Sequence, residues 1–501
     1  MQNQLNSQKL LKRLLCASAL GLMMATVACG GGGGSSPPAS VSPPPPPPPS
    51  PPPPPPPPPV GSVIYAGNDG SGFKLFAVAD NGTQRRTLTG TLSANKRDLI
   101  PFEVSPDESW VGVIGAPDGS NQLYVASVDA GAATRVNRVE TSGNVTTTVK
   151  SFDWSPDSNQ LVFAADLDNR NLRPNSLGGF ANEIYIIDRD GANELKINGT
   201  IGAGPSVEMQ NPQWSPSGSH ILQEVTPFGA TLPRFLNIYN ADAGTPNSTR
   251  VADAFSFIQD VTWAPNGVNF GFLGDVRGLD RAELWLGSVA LGGPDDISDT
   301  PSFDNQFVYE PTTSRVLMTQ RSPSQDPTAD WKFLYGNSGG PYGIQNSIGP
   351  SIADLSRVKY AETGINFAYM LAGDLFVTNP NTATPTLLVA RSGNQGVSNY
   401  EWSPNGQELA FAGNLNLENL SELYVISRDG TNLRTVSIGI GNEQVASEFA
   451  FSPDGRKIAF AAGMTAGAPT TLYVANVDGS GVTRLSDPII SDIGQIEYVG
   501  P

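Results

Sequence analysis

Histidine and cysteine are nearly absent from this sequence. Its 501 residues include one histidine, His220, and two cysteines, Cys16 and Cys29. Zinc sites and iron–sulfur clusters take most of their ligands from these two residue types, so both kinds of centre are excluded. Because both cysteines lie near the N-terminus, the remainder of the chain has no cysteine with which to form a disulfide. We therefore predict no metal, no cofactor and no disulfide framework.

The scarcity of histidine also bears on serine catalysis. Residues 336–340 read Gly-Asn-Ser-Gly-Gly and satisfy the G-x-S-x-G pattern of a nucleophilic serine. Such a serine needs a base, normally histidine, and an α/β setting. No α/β pattern surrounds Ser338, and His220 lies in another part of the chain. We interpret residues 336–340 as a glycine-rich loop and predict no catalytic residue.

Calcium and phosphate sites have little support. The aspartate-rich segments 166–169 and 188–191 lack the alternating ligands and the distal glutamate of a calcium loop. Hairpin turns explain both segments, and calcium binding stays open as an alternative. The Gly-Ser-Gly segment at 70–72 is too short for a phosphate loop, and no helical pattern follows it.

Basic residues are outnumbered by acidic ones. The chain has 30 lysines and arginines against 47 aspartates and glutamates, a formal net charge of −17. Residues 1–28 hold three of the basic residues and no acidic residue, so their removal leaves −20. A protein with this excess of negative charge repels nucleic acid and anionic lipid surfaces, so we expect neither as a partner.

The N-terminus is typical of an exported protein. Three basic residues precede an apolar run that ends at Ala28, which is too short for a permanent membrane span. Residues 26–29 (Thr-Val-Ala-Cys) resemble the lipobox of bacterial lipoproteins, although leucine is usual at the position of Thr26. The resemblance implies a signal peptide over 1–28, lipidation of Cys29 and, because Gly30 follows, the outer membrane. A plain secretory signal is the alternative.

Residues 29–60 are predicted to be a linker rich in glycine, serine and proline. The nearly unbroken proline tract at 43–59 favours a polyproline II rod, which at 3.1 Å per residue reaches about 50 Å. We interpret it as a spacer. A docking site for a proline-binding partner is the alternative, with only the composition in its favour.

One motif recurs along residues 61–498. Its clearest copy is Phe-Ala-Phe-Ser-Pro-Asp-Gly-Arg-Lys-Ile-Ala-Phe at 449–460, followed by Leu-Tyr-Val at 472–474 and Asp-Gly at 478–479. Together with an N-terminal copy that lacks its first strand, we count nine units. The Ser-Pro-Asp-Gly part or its remnant follows an aromatic or apolar residue in the others: Val104, Trp154, Trp214, Trp263, Tyr309, Tyr360 and Trp402. The units at Tyr309 and Tyr360 are the faintest.

The motif predicts four short antiparallel strands. Alternation such as Phe449 and Phe451 is the signature of a strand with one buried face. Ser-Pro-Asp-Gly is a turn, and Asp-Gly at 478–479 suits a tight hairpin. The third and fourth strands follow at 472–474 and near Leu485. Four strands repeated radially describe a β-propeller blade, so we predict an all-β head.

The repeat resembles that of TolB-like propellers, which are similar to WD repeats. The C-terminal residues 495–501 look like one further first strand, and pairing it with the N-terminal unit would close a single ring. We predict one propeller over 61–501 with eight or nine blades. Relatives that are polysaccharide lyases use metal-binding histidines that this chain lacks. Others carry a peptidase domain, for which we expect no room before Pro501.

The loops between second and third strands vary most in length. They should all emerge on the face opposite the proline turns, and insertions gathered on one face often mark a binding face. We place the long ones at 166–182, 224–235, 320–331, 414–421 and 463–470. Their large aromatic and guanidinium side chains are the candidate contacts: Arg170, Arg173, Phe180, Phe228, Arg234 and Trp331. By contrast, the recurring tryptophans 154, 214, 263 and 402 are expected to pack between blades.

These features predict a monomeric, lipid-anchored binding module rather than an enzyme. Its loop-rich face would bind an envelope protein, in the periplasm or at the cell surface. The alternative is a carbohydrate-binding receptor, hydrolase or lyase that acts through the central tunnel. An envelope structural protein with no specific ligand is the third possibility.

Overall fold

The computed structural model describes residues 61–500 with several gaps. The gaps are 93–101, 118, 140, 143–144, 147, 166, 168–182, 200–206, 228–232, 243–247, 277–281, 291–293, 297–302, 314, 322–330, 337–354, 381–384, 393–395, 416–419, 465–469, 487–492 and 494. The described residues form strands and no helix, so the predicted all-β head is confirmed. A membrane-spanning helix is likewise not found in this part of the chain.

Nine antiparallel sheets follow one another along the described residues, eight with four strands and one with three. Strands are numbered here in the order in which they pair. In sheet 1 the strands are Ile496–Val499, Ser62–Asn68, Phe73–Ala79 and Arg86–Thr87. Sheet 2 has Glu103–Val104, Trp110–Gly115, Gln122–Ser127 and Gly131–Arg135. Sheet 3 has Val149–Trp154, Gln160–Ala165, Glu183–Asp188 and Leu195–Lys196.

The middle of the chain continues the same order. Sheet 4 has Val207–Trp214, His220–Pro227, Arg234–Asn240 and Ser248–Phe255. Sheet 5 has Phe257–Trp263, Asn269–Asp275, Glu283–Ser288 and Asp295–Asp296. Sheet 6 has the three strands Phe303–Tyr309, Val316–Arg321 and Trp331–Gly336.

Three sheets complete the series. Sheet 7 has Leu355–Tyr360, Phe367–Leu371, Asp374–Thr378 and Thr386–Val389. Sheet 8 has Gly396–Trp402, Glu408–Asn414, Glu422–Ser427 and Arg434–Thr435. Sheet 9 has Gln444–Phe451, Lys457–Gly463, Thr470–Asn476 and Thr483–Arg484. A small hairpin, Thr141–Ser142 with Val145–Thr146, lies between sheets 2 and 3 in sequence.

The Ser-Pro-Asp turn joins the first and second strands, as predicted. In sheet 3 the Ser155 hydroxyl donates to Asp157 at 2.6 Å and accepts the backbone N–H of Gln160 at 2.9 Å. Burial raises the pKa of Asp157, but hydrogen bonds from Ser155 and Asn159 outweigh it and hold the pKa below its usual value. The backbone requires glycine at the last position of the motif turn, because Gly455 has a φ of +70°, in the left-handed region that favours glycine.

The paired aromatic residues of the motif are neighbours across the second and third strands. Phe411 lies opposite Tyr424 with ring centroids 5.2 Å apart and an interplanar angle of 19°. Equivalent stacked pairs recur in five other sheets: Tyr65–Phe76, Phe163–Tyr185, Phe272–Trp285, Tyr369–Phe376 and Phe460–Tyr473. Such cross-strand pairs stabilise a sheet beyond the area they bury.

A polar residue after the fourth strand provides a contact that sequence reasoning missed. The Ser437 hydroxyl accepts the backbone N–H of Leu423, fourteen residues earlier, at 3.0 Å. The same contact recurs in four other sheets, where a side-chain oxygen accepts the backbone N–H of the residue fourteen positions earlier. The acceptor and donor residues are Thr89 and Leu75, Asn137 and Leu123, Asn198 and Ile184, and Ser486 and Leu472. The signal was present as a serine, threonine or asparagine just after the last apolar residue of a unit.

Each sheet packs against the next through a buried apolar cluster. The cluster between sheets 2 and 3 contains Val125, Trp154 and Phe163, all almost inaccessible to solvent. The predicted role of the recurring tryptophans is confirmed. The indole N–H groups of Trp154, Trp263 and Trp402 each donate to a backbone carbonyl in the first strand of the preceding sheet. The accepting carbonyls are those of Glu103, Gln213 and Lys359, at 3.0 to 3.1 Å.

The last sheet packs against the first. Val474 of sheet 9 shares a buried cluster with Val63 and Tyr498 of sheet 1. The C-terminal strand pairs with Ser62–Asn68 in the register Ser62↔Val499, as predicted. At this seam the buried Asp80 carboxylate accepts hydrogen bonds from Tyr498 and, at 2.8 Å, from Lys457 of sheet 9.

The indole contacts allow a matched test of stability. Trp154 and Trp214 are equally buried, at 1% and 3% exposure, but the Trp214 indole nitrogen has no hydrogen-bond partner among the described residues. We expect Trp154→Phe to destabilise the head more than Trp214→Phe by about 1 kcal/mol, because only the former loses a hydrogen bond. Urea denaturation of the two variants measures this difference, and equal losses would contradict it.

Candidate functional site

The two ends of the sheets differ in their connections. Because the strands pair in sequence order, first-to-second turns and third-to-fourth hairpins emerge at one end, which we call the turn face. Second-to-third loops and the links between sheets emerge at the other end, which we call the loop face. This is the arrangement that the sequence predicted for the long loops.

Turns of neighbouring sheets interlock on the turn face. The backbone N–H of Asp107 donates to Ser158 at 3.0 Å, and the Thr363 hydroxyl donates to the Asn405 carbonyl at 2.8 Å. A Cβ placed on Gly267 would come within 2.8 Å of the Ser217 nitrogen. These contacts leave little room for inserted residues in the first-to-second turns.

On the loop face the five predicted long loops all join second to third strands, but their bounds need correction. Glu224, Gln320, Asn414 and Gly463 belong to second strands, and Arg234, Phe235, Trp331 and Thr470 belong to third strands. The sequence placed these bounds too wide because strand ends here carry polar residues and glycine. The links that remain are 166–182, 228–233, 322–330, 415–421 and 464–469.

Two of the six candidate contacts have described positions. Trp331 is the first residue of the third strand of sheet 6. The half-buried Arg234 places Nη1 3.3 Å from the Glu224 carboxylate and 3.5 Å from the Ile258 carbonyl of sheet 5. Arg234 therefore has a structural contact at the edge of this face. The other four candidates, Arg170, Arg173, Phe180 and Phe228, lie outside the described residues, as do Cys29 and Ser338.

First strands share a polar position that the sequence analysis overlooked. It lies three residues before the motif aromatic, at a bulge in the pairing, and Asn211, Asp260 and Arg357 have φ of +48, +54 and +55 there. Ser151 at this position accepts the backbone N–H of Asn211 at 3.2 Å. Arg357 likewise donates to Asn399 of the next sheet. The signal was a polar residue at the same place in seven of the nine units.

A second polar row lies directly before the motif aromatic. Asp153 accepts the backbone N–H of Trp214 at 2.7 Å, and Gln213 donates to the Val261 carbonyl at 2.8 Å. Lys359 forms an ion pair with Glu401. Both rows therefore connect first strands of neighbouring sheets, and this is the role that the structure shows for them.

The residues considered for metal binding and catalysis have other surroundings. Within the described ranges no three histidine, cysteine, aspartate or glutamate side chains are grouped to hold an ion. The segment 188–191 is a hairpin, in which Asp190 accepts the backbone N–H of Ala192 at 2.9 Å. His220 lies at the start of a second strand with its ring 6.5 Å from that of Trp263. Burial lowers the pKa of His220, and the nearby Asp242 opposes this effect.

Similar folds occur among solved structures at low sequence identity. A eukaryotic initiation factor is 13% identical, with a TM-score of 0.55 over 88% of this chain and 98% of that one. The Dos1 propeller (12% identity, TM-score 0.46) matches over 72% of this chain and 90% of that one. TolB from Acinetobacter baumannii (14% identity, TM-score 0.30) matches over 74% of this chain and 62% of that one.

These similarities concern the fold. No family model matches the sequence, and a search of curated proteins finds no match. The nine successive antiparallel sheets, each packed against the next, agree with the predicted β-propeller fold, and the similarity to the initiation factor extends over most of both chains. The narrower assignment to TolB-like propellers stays a prediction.

The single histidine gives a pH test of the fold. Because the pKa of His220 is lowered below its ordinary 6.5, the unfolded chain binds this proton more readily than the folded one. Stability should therefore fall as the pH drops below 6.5, and His220→Gln should remove that part of the loss. Urea midpoints of both proteins between about pH 8 and about pH 5.5 measure it. If the urea midpoints of the two proteins change with pH in parallel, His220 contributes nothing to the pH dependence of stability.

Proposed function

We propose that the head is one closed, nine-bladed propeller that serves as a binding module through its loop face. Apolar clusters that join each sheet to the next, and sheet 9 to sheet 1, support a single ring. A ring of this kind leaves no sheet of the series with an unpacked face. It therefore provides a rigid support for loops.

The contrast between the two faces carries the functional proposal. On the turn face, short turns are fixed by their own hydrogen bonds and by contacts such as that between Asp107 and Ser158. On the loop face, links such as 166–182 and 322–330 are much longer than the two-residue link between Leu371 and Asp374. Binding residues concentrate in loops on a rigid scaffold, and Arg and aromatic side chains contribute most to protein interfaces. The partner that best fits such a face is a protein of the cell envelope.

The alternative function in the central channel has less support. The two polar rows of the first strands are its best candidates, because first strands would line the channel. Asp153, Gln213 and Lys359 are engaged with the neighbouring sheet in the contacts described above. These residues are therefore accounted for by the joining of sheets, and a carbohydrate or catalytic role would need further groups.

Substitutions on the two faces test the binding proposal. Arg170→Ala, Arg173→Ala and Phe228→Ala should each reduce crosslinking to an envelope partner, by about tenfold for a residue worth 1.4 kcal/mol. Arg456→Ala on the turn face, whose side chain is 86% exposed, is the matched control and should leave crosslinking unchanged. The measurement is quantitative mass spectrometry of crosslinked proteins from intact cells. Equal recovery with all four variants would disprove a role of the loop face.

We further propose that the head is anchored to the outer membrane through lipidated Cys29. The support is the Thr-Val-Ala-Cys sequence behind an apolar run, and the proline-rich linker 30–60 that follows it. In this arrangement the head works at a distance from the bilayer. It needs no membrane-spanning segment, since acyl chains provide the attachment.

Replacement of the anchor cysteine tests the attachment. Cys29→Ser should shift the protein from the membrane fraction to the soluble fraction, because no acyl chain can then be attached. Immunoblots of fractionated cells measure the distribution, and Cys16→Ser is the control that should leave it unchanged. A Cys29→Ser protein that stays with the membrane would refute lipid anchoring.

A further inference from the structure

We propose that the linker joins the ring on the turn face, so that the loop face is held on the side opposite the linker and the membrane. The proposal rests on the lipid-anchored binding module proposed above. It goes further because it fixes which way that module faces. The partner must then approach from the side away from the anchoring membrane.

The position of residues 61 and 62 carries this inference. Ser62 pairs with Val499 at the end of the first strand, where the other sheets have their Ser-Pro-Asp turn. The Gly61 carbonyl accepts the backbone N–H of Asp80, which begins the third-to-fourth hairpin, at 2.9 Å. The neighbouring Gly500 donates to Glu108 in the turn of sheet 2 at 2.7 Å. Two turn-face connections, the hairpin at Asp80 and the turn of sheet 2, therefore contact the point where the linker attaches.

The direction of the second strand then sets the orientation. Ser62–Asn68 runs from the turn face to the loop face, as second strands do throughout the series. The chain consequently enters the head at Gly61 on the turn face. Gly61 is itself buried and its carbonyl is hydrogen bonded, so the attachment point is held by the sheet rather than by a loose segment.

Distances from the linker to the two ends of one strand can test the orientation. Arg456 and Met464 flank the second strand of sheet 9, Lys457–Gly463, and their exposures are 86% for the Arg456 side chain and 56% for Met464. A strand of this length spans about 20 Å. Lys457 contacts Asp80, so sheet 9 lies beside the attachment point.

The experiment uses a fluorescent donor and acceptor on introduced cysteines. Ser50→Cys, the one break in the proline tract, is combined with either Arg456→Cys or Met464→Cys in a Cys16→Ser, Cys29→Ser background, which has no other cysteine. Energy transfer from residue 50 should be more efficient to position 456 than to position 464. Equal or reversed efficiencies would overturn the proposal. Because no partner is involved, this outcome is independent of whether the loop face binds anything.

A circular permutant provides the matched control. Gly500 and Gly61 are adjacent, with a Cβ on Gly500 falling 3.6 Å from the Gly61 Cα, so a short peptide can join them. Opening the chain between the exposed residues Gly70 and Ser71, in the second-to-third loop of sheet 1, moves the linker to the loop face. The order of the two efficiencies should then invert. An unchanged order would show that the linker position does not depend on the face to which it is joined.

Discussion

Each sheet of this protein has two apolar faces, and the sheets on either side provide the surfaces that bury them. The structure meets this constraint through one repeated interaction, the packing of a first-strand aromatic against the preceding sheet. Each of Trp154, Trp263 and Trp402 also donates an indole hydrogen bond to a carbonyl in the first strand of the preceding sheet. This bond fixes the position of one sheet, along the strand direction, relative to the sheet before it. Removal of one sheet would expose apolar surface on both neighbours, so the series is stable only when it is continuous.

The same constraint divides the molecule into a fixed face and a variable one. Turns must fit between the turns beside them, as Gly267 does against Ser217, and this restricts both their length and their residues. At the opposite end the second-to-third connections differ in length, from the two residues between Leu371 and Asp374 to the seventeen between Ala165 and Glu183. In the binding module proposed above, the loop face could therefore change without disturbing the contacts between sheets.

Much of the fold could be predicted because its signals are local and repeated. The Ser-Pro-Asp-Gly turn, the aromatic pair and the recurring tryptophan each fall within one unit, and nine copies raise a weak pattern above chance. The polar rows at Ser151 and Asp153 were missed because their partners, Asn211 and Trp214, lie some sixty residues later. The end of the second strand of sheet 4 was placed at Glu224 instead of Pro227 because a polar residue can end a strand or continue it, depending on its neighbours. The binding residues within the loops depend on a partner that the sequence does not contain.

The seam between sheet 9 and sheet 1 is also the point where the proposed linker would transmit force to the head. Ser62–Asn68 is hydrogen bonded on both sides, to Phe73–Ala79 over seven residue pairs and to Ile496–Val499 over four. A pull on Ser62 from the turn face acts along the strand and loads these pairs together rather than one at a time. The Asp80 contacts with Tyr498 and Lys457 tie the strand's neighbours across the seam. In the proposed anchored protein, the linker would thus join the head at a strand that is hydrogen bonded on both sides.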